Sequence, residues 1–350
     1  MSIKNDEYNS ESESQLKSQP ESKLEPKYNY NLQINIIKKF NYNIQSNYFL
    51  GLITRCKDEN YVKEFCDYYL NQGIDKIYIL DDKSNNLSIY KNIDDDKVRI
   101  IYITKNSNCH NGKCSKYCTC NRVLANQIYE NIRNYFEWMI YVDVDEFITT
   151  KKRLNNNLKE ELLNHYQNVD SIHVPWIMMS NTNEKNPDKL LLNNIYRLNY
   201  DNKPNYKINS KYGKDKFGKQ SSGKIVQCKS IFRCKYFKSI HRNDHPSDHH
   251  PVFPTTKNIV CIESVENSKV YLNYSIYKNN LTKNLINNSF LLCYHYRVVS
   301  NEHAMEKIKN NDWYKQCEYK LKHLIKNEKN LIKDETLKNK YMCFVSNHVK

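Results

Sequence analysis

The stretch EWMIYVDVDEF, Glu137 to Phe147, sets an apolar run from Trp138 to Val142 directly against Asp143, Asp145 and Glu146. Short apolar runs bounded by polar residues belong to strands buried in a sheet, so the acids stand where such a strand ends. Side by side they repel one another unless a cation, or a ligand carrying one, sits between them. The cluster is the more notable because the chain as a whole is basic, with a formal net charge of +15.

Outward from this strand the pattern alternates between strand and helix, which predicts an α/β fold with a mainly parallel sheet flanked by helices. YFLGLIT (48–54) reads as a buried strand. DENYVKEFCDYYLNQG follows, with Val62, Phe65, Cys66 and Tyr69 at helical spacing and Gly73 placed to end the helix. DKIYIL (75–80) reads as a second strand, closing on Asp81 and Asp82. A short helix near Ser88–Ile93 leads to a strand at 97–104, and the amphipathic segment 121–136 feeds the acid-tipped strand. Beyond it the pattern predicts a helix at 154–166, strands at 171–179, 225–233 and 290–298, and a final helix from about Glu302.

Residues 1–45 are rich in Ser, Glu, Lys and Gln with almost nothing to bury, the composition of a disordered tail, and leave 46–350 as the folded domain. Segment 201–224 is nearly free of apolar residues and reads as an exposed basic loop, either a mobile lid or a disordered insertion. Asn, Lys, Ile and Tyr are over-used and glycine is scarce, the bias of an AT-rich genome such as that of a large DNA virus or certain protists, so part of the basic charge is compositional. No apolar stretch reaches the roughly 18 residues of a membrane span. The start of the chain has no secretory apolar core, which points to a cytoplasmic protein, or a virion component if viral.

Parallel sheets carry their chemistry at the carboxyl ends of strands. Three successive strand ends here bear acids: Asp58 and Glu59, then Asp81 and Asp82, then Asp143 and Asp145. A rim of this kind can chelate Mn2+ or Mg2+, which prefer oxygen ligands, and through the ion a diphosphate. His295, ending a strand, is a candidate third metal ligand, although a lone strand histidine is more often a core residue. Neutralising Asp143 or Asp145 is expected to abolish turnover and, by relieving repulsion, to stabilise the metal-free protein.

Four segments in order carry a family resemblance. ITRCKDENYVKEFCDYYLNQGIDKIYILDDKS resembles the opening of family-92 glycosyltransferases and their family-2-like relatives, and WMIYVDVDEF resembles their metal motif. KSIFR (229–233) followed by His241, and CYHYRVVS (293–300) followed by HAMEKIK, resemble later segments, with Val299 where the family has lysine. The resemblance spans about residues 48–315. It implies a GT-A-type, Rossmann-like fold and metal-dependent transfer of a sugar from a nucleotide-diphosphate donor to a glycan or protein acceptor. On that basis Arg55, Asp58 and Glu59 approach the nucleoside and Asp82 holds the base or ribose edge. Asp143 and Asp145 hold the metal, and Lys229, Arg233 and His241 line the donor site. Ser84 is either part of that pocket or the cap of the next helix. Asp244, Asp248 and Glu263 are candidate bases for the acceptor hydroxyl.

Cys109, Cys114, Cys118 and Cys120 fall within a dozen residues and could enclose a structural zinc, pair as disulfides, or remain reduced. With the basic charge, a zinc knuckle would also suit a nucleic-acid-binding protein, although the basic residues are spread along the chain and the acidic rim would repel phosphate. A metal-dependent phosphohydrolase could use the same acids, and a degenerate, inactive homologue is the remaining alternative. The His241, His245, His249 and His250 group fits no standard zinc spacing.

Overall fold

The structure, a computed structural model, describes residues 48–94, 96–102, 120–167, 171–180, 183–198, 228–237, 240, 260–264, 268–271, 289–310 and 331–348, all within the second of two compact units, Phe40–Lys350. The 1–45 tail, the 201–224 loop, Cys109, Cys114, Cys118, His241, Asp244 and Asp248 lie outside the described residues.

The strands are β1 (Tyr48–Cys56), β2 (Lys76–Asp81), β3 (Val98–Tyr102), β4 (Phe136–Tyr141), β5 (Glu146–Thr150), β6 (Ser171–Met178), β7 (Tyr196–Leu198), β8 (Cys228–Arg233), β9 (Val260–Ser264), β10 (Ser268–Tyr271), β11 (Leu291–His295) and β12 (Leu331–Lys333). The helices are α1 (Val62–Asn71), α2 (Cys120–Ile132), α3 (Leu158–His165), α4 (Leu190–Asn193), α5 (Asn301–Asn310) and α6 (Thr336–His348). An eight-stranded sheet in the order β3-β2-β1-β4-β8-β6-β11-β5 forms the centre. Its β3–β2, β2–β1, β1–β4 and β6–β11 pairs are parallel; β8 and β5 run against the other strands. This is the mixed, mainly parallel α/β fold that the alternating pattern predicts. Among the described residues no helix is long and apolar enough to cross a membrane.

One face of the sheet buries Leu50, Leu52, Ile77, Ile79, Trp138 and Ile140 in a core shared with Val62, Phe65, Cys66 and Tyr69 of α1. These are the helical positions picked out by spacing. Gly73 ends α1 in a left-handed turn at φ +84°, where its N–H donates to Leu70 O and that of Ile74 to Tyr69 O. The paired bonds satisfy carbonyls the helix leaves open, and Ile74 is buried beside them. Glu64, also buried on α1, accepts from the backbone N–H groups of Leu190 and Leu191, so its carboxylate caps α4.

Three local expectations need correction. EWMIYVDVDEF is two strands: β4 stops at Tyr141, the chain turns, and β5 starts at Glu146 beside β11. The turn closes because Glu146 N donates to Asp143 O at 3.0 Å while Glu146 Oε2 accepts from Asp143 N at 2.8 Å. The helix expected from Leu154 begins at Leu158, because Asn157 and Glu160 form a reciprocal capping box there. The final helix is not the one near Glu302: α6 follows it. Leu337 and Tyr341 of α6 are buried, and the Lys340 ammonium, 1% exposed, donates to Thr150 Oγ1 and to the carbonyls of Leu154 and Asn156.

Two predictions follow from these anchors. Gly73→Ala forces a side chain into a left-handed turn with its Cβ 2.6 Å from Lys159 Cβ. Denaturant unfolding should show a loss of at least about 1 kcal/mol; unchanged stability would contradict the assigned turn. Burial pushes the Lys340 ammonium down to about 8 from its ordinary 10.5. The unfolded chain then holds more protons than the folded one between those values, so Lys340 contributes stability that rises with pH across that window. The stability gap between wild type and Lys340→Met should widen in favour of wild type over that range, and a pH-independent gap would refute the depressed value.

Candidate active site

Every strand that contributes to the acid rim presents the same end of the sheet. β1, β2, β4 and β11 deliver their carboxyl ends there, and the reversed strands β5 and β8 deliver their amino ends, at Glu146 and Lys229. The strand-end acids therefore converge, and they are interleaved with basic groups that the sequence pattern did not reveal.

Arg55, the penultimate residue of β1, places Nη2 2.8 Å from Asp143 Oδ1. Burial disfavours its charge, but Asp143, Tyr141 and Asp82 outweigh that and hold its pKa above the ordinary arginine value. Asp82 and Asp143, just past the carboxyl ends of β2 and β4, lie at the same edge of the sheet on either side of β1. Lys229, 5% exposed, sits 2.7 Å from Glu146 Oε2 and 3.7 Å from Asp143 Oδ2. Desolvation alone would lower its pKa; Glu146 and Asp143 raise it instead. Its ammonium thereby pairs with both acids that close the turn.

Asp145 faces the other way. Its Oδ1 lies 3.4 Å from His295 Nε2 and its Oδ2 3.2 Å from Lys307 Nζ. Burial would raise the Asp145 pKa, yet His295 and Lys307 hold it well below the usual carboxylate range. The same Lys307 is 3.1 Å from Glu59 Oε1, and His303, one turn earlier on α5, puts Nε2 3.4 Å from Glu59 Oε2. His303 Nδ1 accepts from Val299 N, which assigns the ring proton to Nε2 and aims it at Glu59. Burial again opposes the Glu59 charge, and Lys307 with His303 brings its pKa below normal.

Asp145, Glu146 and His295 each offer a ligand atom within 4.8 Å of the others. Two carboxylates and an imidazole make a donor set suited to Mn2+ and acceptable to Mg2+. Two of the expected ligands, Asp145 and His295, are grouped here with Glu146. The Asp143 carboxylate meets Arg55 and Lys229, whereas Glu146 Oε1 lies 3.9 Å from His295 Nδ1.

Other candidates meet different partners. Arg233 pairs in register with Trp138 at the opposite end of β4 from Asp143. Its guanidinium stacks 4.3 Å over the Trp138 ring, pairs with Glu137 and donates to the carbonyls of Tyr166 and Gln167. It braces the floor of the sheet and does not reach the rim. Asp58 is at the rim, but its carboxylate accepts from Asn85 N, Asn85 Nδ2 and Asn86 N, while its own N–H donates to Ser84 Oγ. Together they staple the loop after β1 to the loop after β2. Asn86, and not Ser84, caps the following 3-10 turn. Asp81 is likewise occupied, accepting from Tyr90 OH and Ser84 N. Glu263 lies on β9 of the separate β9–β10 hairpin, and Cys120 begins α2.

His303 and Lys307 are the site residues the sequence reading missed. Their four-residue spacing puts both on one helical face, and that face also carries buried Ala304. Basic residues on the buried side of an amphipathic helix are the available signal. No protein-family model matches the chain, and no curated protein matches it either.

Asp143, Asp145 and Glu146 do not repel one another freely, because each has a cationic neighbour. Asparagine at 143 or 145 removes ion pairs, so the expectation that it stabilises the metal-free protein reverses sign. Lys229→Met should be more costly still, by about 3–5 kcal/mol, because it strands the buried Glu146 carboxylate. Adding Glu146→Gln should restore most of that loss in chemical denaturation, and a fully stable single variant would show that the pair does not brace the turn.

Proposed function

We propose that the protein is a metal-dependent glycosyltransferase that moves a sugar from a nucleotide-diphosphate donor to a hydroxyl of a glycan or protein acceptor. The observation that carries this reading is the convergence of Asp82, Asp143, Asp145, Glu146 and His295 on one rim, with Arg55 between Asp82 and Asp143. Such an arrangement can receive both halves of a nucleotide sugar. The finer fold expectation, a GT-A-type domain, belongs to the same reading and is supported by the parallel β3-β2-β1-β4 half of the sheet, whose carboxyl ends form the rim.

Asp145, Glu146 and His295 would hold Mn2+ or Mg2+, which would neutralise charge on the departing diphosphate. The chain's own groups do the rest. Arg55 pairs with Asp143, and the edge carrying Asp82, at the end of the neighbouring strand, would receive the base or ribose. The Asp58–Ser84–Asn85 staple fixes that edge before any ligand arrives, so less ordering entropy is lost on binding. Lys229 pairs with both Glu146 and Asp143 and so offsets their negative charge at the turn.

A phosphohydrolase using the same acids would cleave the donor's pyrophosphate to nucleoside monophosphate and sugar phosphate, whereas the transferase releases nucleoside diphosphate. With Mn2+ and a panel of nucleotide sugars, the wild-type protein should release nucleoside diphosphate, and Asp145→Asn or Asp143→Asn should slow release by at least about a hundredfold. Undiminished release by either variant, or release of nucleoside monophosphate with sugar phosphate instead, overturns the reading.

A further inference from the structure

Lys307 occupies an unusual position for a lysine. It is 91% buried, its ammonium meets Asp145 Oδ2 at 3.2 Å and Glu59 Oε1 at 3.1 Å, and it donates to Arg297 O at 3.1 Å. Three oxygen partners match the three donors of an ammonium. The two carboxylates come from separate segments, one after β1 and one from the turn after β4, and α5 supplies the cation to both.

We propose that Lys307 is a built-in counter-ion that competes with a divalent cation for Asp145, so that the site takes metal firmly only together with an anionic diphosphate. This rests on the metal-site reading above and adds to it a role for α5. The argument is electrostatic. An ammonium in contact with one oxygen of Asp145 repels a divalent ion that uses the other oxygen, and a partly buried site screens that repulsion weakly. The lysine also satisfies the acids without metal, which removes much of the gain from binding a bare ion. A diphosphate brings negative charge of its own and tolerates both cations at once. His303 strengthens the arrangement by holding the second Glu59 oxygen, which keeps Glu59 from swinging over to replace Lys307.

α5 is fixed in place independently of the acids. Asn301 N and Glu302 N donate to the carbonyls of Asn183 and Glu184, and Ser300 Oγ accepts from His303 N while donating to Asn186 Oδ1. Removing the Lys307 charge therefore leaves its helix seated.

The test is Mn2+ titration of the full chain, reading free Mn2+ by electron paramagnetic resonance, with and without a nucleoside diphosphate. Lys307→Met should bind Mn2+ alone at least tenfold more tightly than wild type, and Lys307→Arg should match wild type. The diphosphate should tighten Mn2+ binding in wild type by a larger factor than in Lys307→Met. If Lys307→Met folds poorly, Glu59→Gln and Glu59→Gln/Lys307→Met form the comparison, with the double variant expected to bind more tightly. Equal or weaker Mn2+ binding on loss of the lysine, or no Mn2+ binding by any variant, overturns the proposal. The transfer reading is tested separately: loss of turnover in Asp145→Asn with no Mn2+ effect at Lys307 removes this inference alone, and the converse pattern leaves a cation site without the transferase.

Discussion

The turn between β4 and β5 governs the arrangement of the rim. It reverses the chain at the carboxyl edge of the sheet while carrying three acids, and neither hydrogen bonds within the turn nor apolar packing could tolerate that charge unaided. Lys229 from β8, Arg55 from β1 and Lys307 from α5 supply the compensation. Each comes from a different part of the chain, so the turn can take this shape only when the sheet and α5 are assembled around it. Burying ion pairs gains little stability over an apolar filling of similar volume. A fold shaped by stability alone has no use for such a seam, which makes it the natural place to look for chemistry.

The fold was legible where local pattern and tertiary setting agree. The runs in β1, β2 and β4 are apolar because both faces of a central strand are covered, and the spacing of Val62, Phe65, Cys66 and Tyr69 marks the face α1 buries. Even Gly73 announced its turn, since few other residues adopt that backbone. The division of EWMIYVDVDEF was not legible. Phe147 and Ile148 continue the apolar character of Trp138 to Val142, and the turn between them contains neither glycine nor proline. What closes it is the Glu146 carboxylate, and that residue is buried at all only because Lys229 arrives from a distant strand.

The same reasoning separates the acids that sequence could place from the partners it could not. Asp58, Asp81, Asp82, Asp143 and Asp145 follow strand ends, and a parallel sheet brings those ends together whatever their neighbours are. Whether a given carboxylate is then available to a ligand depends on what else reaches it. Asp58 and Asp81 are consumed by the two loops they hold, through bonds to Asn85, Asn86, Ser84 and Tyr90. Arg233 illustrates the opposite failure. It lies four residues from Lys229 on one strand, and at about 3.3 Å per residue that distance is enough to carry it from the rim to the floor of the sheet.

Asp143 and Asp145 divide the rim into two halves that share one hinge. Asp143 belongs with Arg55 and Asp82; Asp145 belongs with His295, Lys307 and Glu59. Between them Glu146 accepts from Asp143 N and leans on Lys229, while Tyr296 N donates to Asp145 O. The backbone under each acid is pinned by its own bonds, Asp143 by Glu146 on both its N–H and its carbonyl and Asp145 by Tyr296 N. Charge introduced on one half is felt on the second electrostatically, because only the short turn that the apolar strand runs into separates them.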